Sequence, residues 1–516
     1  MNTFKKAVIV FVLILAASII AMHFLYIGKD STGLLIVRQW CEEIGLNDSN
    51  SMCLEIINSG KMSLVQGVSL ALFLFAIALT VIRMEWRTAA AMLALAALIV
   101  VGIATPQAIL NAVSWNLILF LAGSMTLAGI FRELGIFRYL ALRILELARN
   151  NAIILIILLS MLSYALSATL GEVTSIVYVT MLALEIASIM HVDVAPLIIL
   201  CVLATNTGSS AMPIGNPIGV YLLFKTGMSV STFIRTAFPL SILNLVVLLA
   251  TFITLEKGFI SMLDKAFKKF AHRIEAYVAR HRIDLRAGNR EALRILIGLG
   301  VLLAFILTVA FNDFIVQMLS KFYFIVQMFS KFYRTPIDPH AFLTFVPYIF
   351  IIIMFAVIPM EEISRLVEKS VEWSSILFFI FLFMLSHVLT YTGVMAKLAY
   401  VFSHAAASQL TLLLVMLFAS AVLSSVLDNL SVIVTFTPIA MLFNQIGLTG
   451  SLIYFALLFG GVFGGNYTPV GSTANIVAVG LAEKRKIKIT WGNWLRLALV
   501  STTLQLVVSL LYLYLF

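Results

Sequence analysis

The run Gly464-Gly465-Asn466-Tyr467-Thr468-Pro469-Val470-Gly471-Ser472-Thr473-Ala474-Asn475 interrupts an apolar segment that otherwise extends over residues 450–482. Proline removes a helix N–H, and glycine adopts unwound backbone at little cost, so this run breaks a helix in its middle. A second run of the same kind, Thr205-Asn206-Thr207-Gly208-Ser209-Ser210-Ala211-Met212-Pro213-Ile214-Gly215-Asn216-Pro217, lies inside the apolar segment 194–225. Unwound backbone at membrane depth survives only where it is buried in protein or lines a cavity. Its free carbonyls can coordinate a cation, and the helix N-termini it exposes can hold an anion. A single break of this kind reads as a packing kink. Two at matching positions point to a binding site.

The surroundings of these runs set the class of protein. Asp, Glu, Lys and Arg make up only 11% of the 516 residues, against about 25% in soluble domains, and 62% of the chain is hydrophobic. That excludes a soluble enzyme, a nucleic-acid-binding module and a disordered scaffold, and makes the chain an all-α polytopic membrane protein with the bilayer as its solvent. About eleven transmembrane helices are expected, near 7–27, 64–82, 88–104, 115–131, 194–225, 237–256, 293–311, 341–359, 373–392, 450–482 and 495–516. Two further apolar stretches, 152–190 and 406–443, are too long for one crossing. Small or polar residues break each in its middle, so each is expected to be a re-entrant hairpin. With Lys5 and Lys6 holding the amino end in the cytoplasm, most Lys and Arg fall in cytoplasmic segments, and the carboxyl end lies outside. A plasma membrane of a prokaryote is the expected location. The first apolar run also has the form of a cleaved signal peptide. The outer loop 28–63 holds Cys41 and Cys53, either a structural disulfide or two free thiols, and Cys201 reads as a small apolar residue.

The chain also repeats itself. Trp115 and Gly135 bracket an apolar segment as Trp373 and Gly393 do. Leu166 to Thr174 lines up with Leu423 to Ser431, Pro213-Ile214-Gly215 with Pro469-Val470-Gly471, and Leu243-Asn244-Leu245-Val246-Val247 with Leu504-Gln505-Leu506-Val507-Val508. Each half contains one hairpin and an odd number of crossings, so the second must be inverted relative to the first. The organisation expected is an amino-terminal helix and outer loop over 1–63, a first inverted repeat over 64–256, a basic cytoplasmic linker over 257–292 and a second repeat over 293–516. Inverted halves exchange conformations and present one central site to each side in turn. The decapeptide at 314–323 recurs at 324–333 and reads as a local duplication at the interface, while the basic linker reads as an amphipathic segment on lipid headgroups.

The hairpin tips carry the charge. Gly171-Glu172-Val173-Thr174 corresponds to Asp428-Asn429-Leu430-Ser431. A carboxylate at bilayer depth costs about 2.5–3.5 kcal/mol on the lenient insertion scale, so it persists where it meets a cation or carries a proton. No Lys or Arg lies in the broken segments, which points to a bound cation or a proton as the partner. A carboxyl that merely caps the second hairpin helix is the plainer alternative. The expected site comprises Glu172, Thr174, Thr205, Asn206, Thr207, Gly208, Ser209 and Asn216 from the first half. Asp428, Asn429, Ser431, Asn466, Thr468, Gly471, Ser472, Thr473 and Asn475 come from the second. Asp428, Asn429, Asn466 and Thr468 supply enough oxygens for sodium, and Glu172, in a less polar stretch, is the expected proton carrier. Glu185 and His387 lie away from the tips and read as structural. No catalytic motif, nucleotide-binding motif or metal-spaced Cys/His cluster is present, so neither enzymatic chemistry nor a cofactor is expected beyond Na+ or H+ as coupling ion.

The runs quoted above resemble the ion transporter superfamily in its citrate-transporter-like branch, which includes divalent-anion/sodium symporters, arsenite exporters, sodium/proton antiporters and the P-protein. Gly464 to Val477 is close to that group's GGNxTxxGxxANxV pattern, supported by Ile214-Gly215-Asn216-Pro217 and Leu427-Asp428-Asn429. The resemblance implies a scaffold, a moving transport domain of hairpins and broken helices, interfacial arm helices at 135–150 and 394–404, and a homodimer. The function it implies is secondary active, cation-coupled transport of a small anion such as a di- or tricarboxylate. Sodium/proton antiport and arsenite-type metalloid export are the alternatives on the same fold. In the symporters each tip reads Ser-Asn-Thr; here only Asn429 is retained, and negative tips repel a dicarboxylate unless a cation or proton compensates.

Inversion makes a prediction about access. Single cysteines replacing Thr174 and Ser431, in a chain lacking Cys41, Cys53 and Cys201, should react with membrane-impermeant thiol reagents from opposite faces. Labelling of both from one face under all conditions contradicts the inverted topology.

Overall fold

A computed structural model describes residues 3–46, 50–148, 151–281, 290–329, 338–405 and 408–515. Among them every regular element is a helix, and eight helices are long and apolar enough to cross a membrane, with several shorter apolar helices beside them. The protein is an all-α polytopic integral membrane protein. The crossings expected near 115–131, 237–256, 293–311 and 373–392 are the helices Trp115–Glu133, Val230–Leu255, Arg290–Ala310 and Trp373–Tyr391. The linker is the helix Lys257–His281, and residues 282–289 lie outside the described set. The duplicated decapeptide lies in Asn312–Phe329, with its last four residues outside the described set.

Local chemistry explains the irregular points. Asn151 opens the first hairpin by accepting hydrogen bonds from the Ile153 and Ile154 amides at 2.9 and 3.1 Å. The chain then runs as Ala152–Leu170, turns on Gly171 at φ +88°, and returns as Glu172–Met190. That positive φ is why a single residue suffices for the reversal. Each limb has 19 residues, about 28 Å at 1.5 Å per residue. The second hairpin is shorter, Gln409–Ser424 and Asn429–Gln445. The two arm helices, Ile136–Ala148 and Val394–Ala405, each follow a left-handed glycine, Gly135 and Gly393.

The helices gather into two compact units, each built from segments distant in sequence. One unit contains residues 1–114, 373–461 and 513–516. In it the helix Thr3–Phe24 lies along Gly60–Ile82, with Gly67 so close to the Ile19 backbone that a Cβ there would overlap it. The helices Ser31–Glu43 and Asn50–Asn58 are joined by a disulfide between Cys41 and Cys53, their Cα atoms 6.3 Å apart. Trp40, fully buried beside that bridge, donates its indole N–H to the Tyr391 carbonyl at 3.3 Å. Lys397, also fully buried, donates to the Met22 carbonyl at 2.8 Å, one of the last carbonyls of the first helix.

The other unit contains residues 115–372 and 462–512. Its centre is the helix Ala195–Ser209, buried on all sides, including Cys201. A helix that is apolar all round belongs in a core, and this one packs on the first hairpin, on Val230–Leu255 and on Thr473–Lys484. Gly208 sets the contact with the hairpin, because a Cβ there would fall on the backbone of Tyr164. Gly208→Ala is therefore expected to destabilise the purified protein by about 1–3 kcal/mol through overpacking. Gly480→Ala, in a helix with open space around that position, should be neutral or slightly stabilising. Thermal unfolding in detergent checks both, and equal melting temperatures would show that the Gly208 contact is not tight.

Candidate functional site

Both quoted runs are broken helices. The first is Ala195–Ser209, a 3-10 turn at Pro213–Gly215, and Pro217–Thr226. The second is Leu452–Gly464, a 3-10 turn at Gly465–Tyr467, and Thr473–Lys484. Each break is closed by its own polar side chains. Asn216 caps Pro217–Thr226 by accepting from the Gly219 amide at 2.7 Å, and its amide donates back to the Ser209 carbonyl at 3.0 Å. Ser472 caps Thr473–Lys484 by accepting from the Ala474 amide at 3.2 Å. Asn475 donates to the carbonyls of Gly465 and Thr468, both at 2.8 Å, which satisfies the strand-like backbone that the break leaves exposed.

Three asparagines then join one break to the other. The Asn206 amide donates to Asn466 Oδ1 at 2.7 Å and to Asn475 Oδ1 at 2.9 Å, and all three side chains are fully buried. Trp494 donates its indole N–H to the Asn466 carbonyl at 2.9 Å. One layer away, Gln505 donates to the Thr207 hydroxyl at 2.9 Å and to the Asn244 carbonyl at 3.1 Å, while the Asn244 amide donates to Ser509 at 3.0 Å. Asn466 Nδ2 and Thr205 Oγ1 are buried without a hydrogen-bond partner. Native interiors contain few such atoms, so two beside a helix break call for an explanation, and a bound solute or ion supplies one.

The hairpin tips offer a second set. Glu172 and Thr174 are half-buried in the first turn of Glu172–Met190. At the other tip Asp428 stands immediately before Asn429–Gln445, its carboxylate facing the amides of Leu430 and Ser431 and the Ser431 hydroxyl. It closes no cap hydrogen bond of normal geometry, and its Oδ2 is buried without a partner. The Ser424 hydroxyl lies 2.6 Å from both Asn429 Oδ1 and the Gly461 carbonyl, leaving Asn429 Nδ2 unpartnered. Arg87 lies in the same unit as Asp428. Arg87 opens the helix Arg87–Val100, bonds the Ser375 hydroxyl and lies over the Phe378 ring.

The expected residues thus divide. Thr205, Asn206, Thr207, Gly208, Ser209, Asn216, Asn466, Thr468, Gly471, Ser472, Thr473 and Asn475 fall in one unit with Glu172 and Thr174. Asp428, Asn429 and Ser431 fall in the other. Among the described residues no three His, Cys, Asp or Glu side chains gather as metal ligands. Gln505, Trp494, Ser424 and Arg87 escaped the sequence reading. For Gln505 a signal existed: it stands opposite Asn244 in the repeat, a polar residue in each of two apolar helices.

A sequence profile of the citrate transporter family matches residues 70–460. The chain belongs to the citrate transporter family. Among its relatives, an uncharacterized transporter of Mycobacterium tuberculosis is 26% identical over 442 residues, covering 83% of this chain and 93% of that one. A 46 kDa membrane protein of Mycobacterium leprae is 26% identical over 78% of this chain and 86% of its own length. The P protein of Homo sapiens is 26% identical over 84% of this chain, which spans 58% of that protein. This citrate transporter family member is therefore a membrane transporter and not an enzyme, as its sequence led us to expect.

The asparagine junction has a measurable cost of removal. Asn206→Ala would leave two buried carbonyl oxygens unpaired at about 1–3 kcal/mol each. We expect a loss of about 2–5 kcal/mol in thermal unfolding of the purified transporter. Unchanged stability with lost transport would instead make Asn206 a direct ligand.

Proposed function

We propose that this transporter is a secondary active carrier that couples Na+ or H+ to the movement of a small anion such as a di- or tricarboxylate. The observation that carries this reading is the pair of matched helix breaks, bonded through Asn206, Asn466 and Asn475, with unpartnered polar atoms beside them. Asn466 Nδ2 is a donor suited to a carboxylate, and the N-termini of Pro217–Thr226 and Thr473–Lys484 start at the breaks with their dipoles favouring negative charge. Asp428 and Asn429, with Asn466 and Thr468, are the proposed sodium ligands, and Glu172 the proposed proton carrier. The two repeats are proposed to be inverted and to alternate a hairpin-containing transport domain between the two sides. A homodimer in a prokaryotic plasma membrane, amino end inside and carboxyl end outside, completes the proposal. Sodium/proton antiport is the second reading. It is favoured by the carboxylates at both tips, where the symporters of the resembling group have none.

Proteoliposomes with imposed gradients separate these readings. Uptake of labelled citrate or succinate driven by inward sodium or proton gradients supports anion transport. A response of an internal pH dye to sodium, without any organic anion, supports antiport, and ATP-driven uptake without a gradient defeats both. Glu172→Gln should flatten the pH dependence of transport. Asp428→Asn should raise half-saturating sodium about tenfold, the equivalent of ~1.4 kcal/mol. Arg87→Gln should lower it, since a competing cation is removed. Wild-type sodium and pH responses in all three variants would make these carboxyls structural caps.

A further inference from the structure

On the polar flank of the first hairpin the second unit contains a cleft of about 220 Å³ that opens to the surface. Its walls come from three directions: the arm helix Ile136–Ala148, both limbs of the hairpin, and the linker helix Lys257–His281. The depth of the cleft is apolar, formed by Leu142, Leu145, Leu162, Leu166 and Leu182. Two cations, Arg132 and Arg138, stand exposed at its rim. Arg132 faces the Tyr178 hydroxyl, and the Tyr178 ring stacks on Phe137 with centroids 4.0 Å apart. Glu185 is the acidic residue of the lining, and the Tyr277 hydroxyl lies against it.

This arrangement is amphiphilic in a definite order. The exposed Arg132 and Arg138 stand beside mostly buried branched aliphatic side chains, with two Arg against one Glu in the lining. The linker helix that closes one side carries Lys265, Lys268, Lys269, Arg273 and Arg280 outward, while Phe259, Leu263 and Phe267 are buried against the protein. An amphipathic basic helix at the ends of membrane-crossing helices lies at headgroup depth and draws anionic lipid, at about 1 kcal/mol per basic residue. We propose that the cleft is a specific site for an anionic phospholipid of the phosphatidylglycerol type. The phosphate lies between Arg132 and Arg138, the glycerol hydroxyls donate to Glu185, and the start of one acyl chain fills the leucine-lined depth. The net positive lining favours a lipid of net negative charge over a zwitterion, and a choline head has no donor for Glu185. Such a lipid braces the hairpin that carries Glu172 against its arm and linker helices. The proposal is independent of which solute the transporter carries.

Native mass spectrometry of the purified full chain, equilibrated with equal amounts of phosphatidylcholine, phosphatidylethanolamine and phosphatidylglycerol, reads out the site. The wild type should retain phosphatidylglycerol about tenfold over the other two. Arg132→Gln with Arg138→Gln should reduce that retention about tenfold or more, as expected from ~1 kcal/mol per charge. Lys265→Gln with Lys268→Gln, which removes equal charge from the outer face of the linker helix, should change it less than about twofold. Ala141→Trp, which fills the cleft without altering charge, should abolish retention while the melting temperature shows a folded chain. Equal losses from the two charge pairs, full retention by folded Ala141→Trp, or preference for phosphatidylethanolamine would each overturn the proposal. Displacement of the lipid by glycerol phosphate or citrate at millimolar concentration would make this a solute-anion site and overturn it as well.

Discussion

The amide bridge from Asn206 to Asn466 and Asn475 is the constraint on which the centre of this transporter depends. A helix that unwinds among apolar neighbours leaves N–H and C=O groups without partners and without water to replace them. The chain solves this in layers. Side chains within each break bond the loosened backbone, as Asn216 does to Ser209 and Asn475 to Gly465 and Thr468. The three asparagines then tie the breaks together, and Trp494 and Gln505 secure them from the last helix. A polar network in a low-dielectric interior is stabilising when every member is satisfied. Asn466 Nδ2, Thr205 Oγ1, Asn244 Oδ1 and Gln505 Oε1 remain without partners in this network, and the first two lie where the proposed solute would bind.

Small residues allow this network to form. Gly208 sits against the Tyr164 backbone and Gly215 against Ser209, so the broken helix lies within backbone contact of the hairpin and of itself. Without a hydrophobic driving force between helices in lipid, close approach through small residues is how helices gain packing energy. The same residues that permit unwinding therefore also hold the unwound segment in place. At the second tip, Asp428 occupies a helix start without closing a cap.

Two surfaces of the chain are built differently. The flank holding Cys41 and Cys53 is covalently closed and anchored by Trp40 and the buried Lys397. The opposite kind of surface, around Arg132, Arg138 and the basic linker helix, is open and charged. The proposed lipid in the cleft beside the first hairpin would give the membrane a contact with a tip-bearing element.

Much of this was written locally in the sequence. Long apolar runs, the Gly/Pro breaks at 205–217 and 464–475, the hairpin turns at Gly171 and Asp428 and the paired glycines before the arm helices each depend on residues a few positions apart, so they can be read without the fold. The membership of Asn206, Asn466 and Asn475 in one polar group was also legible, because polar residues in apolar helices must find partners. What they bond to was not. Only the tertiary structure decided that these asparagines hold each other, that Gln505 reaches Thr207 and Asn244, and that Cys41 and Cys53 pair. The physical reason is separation. Residues hundreds of positions apart become neighbours only when whole helices pack, and helix packing depends on the shapes of many side chains at once, which no single stretch of sequence contains.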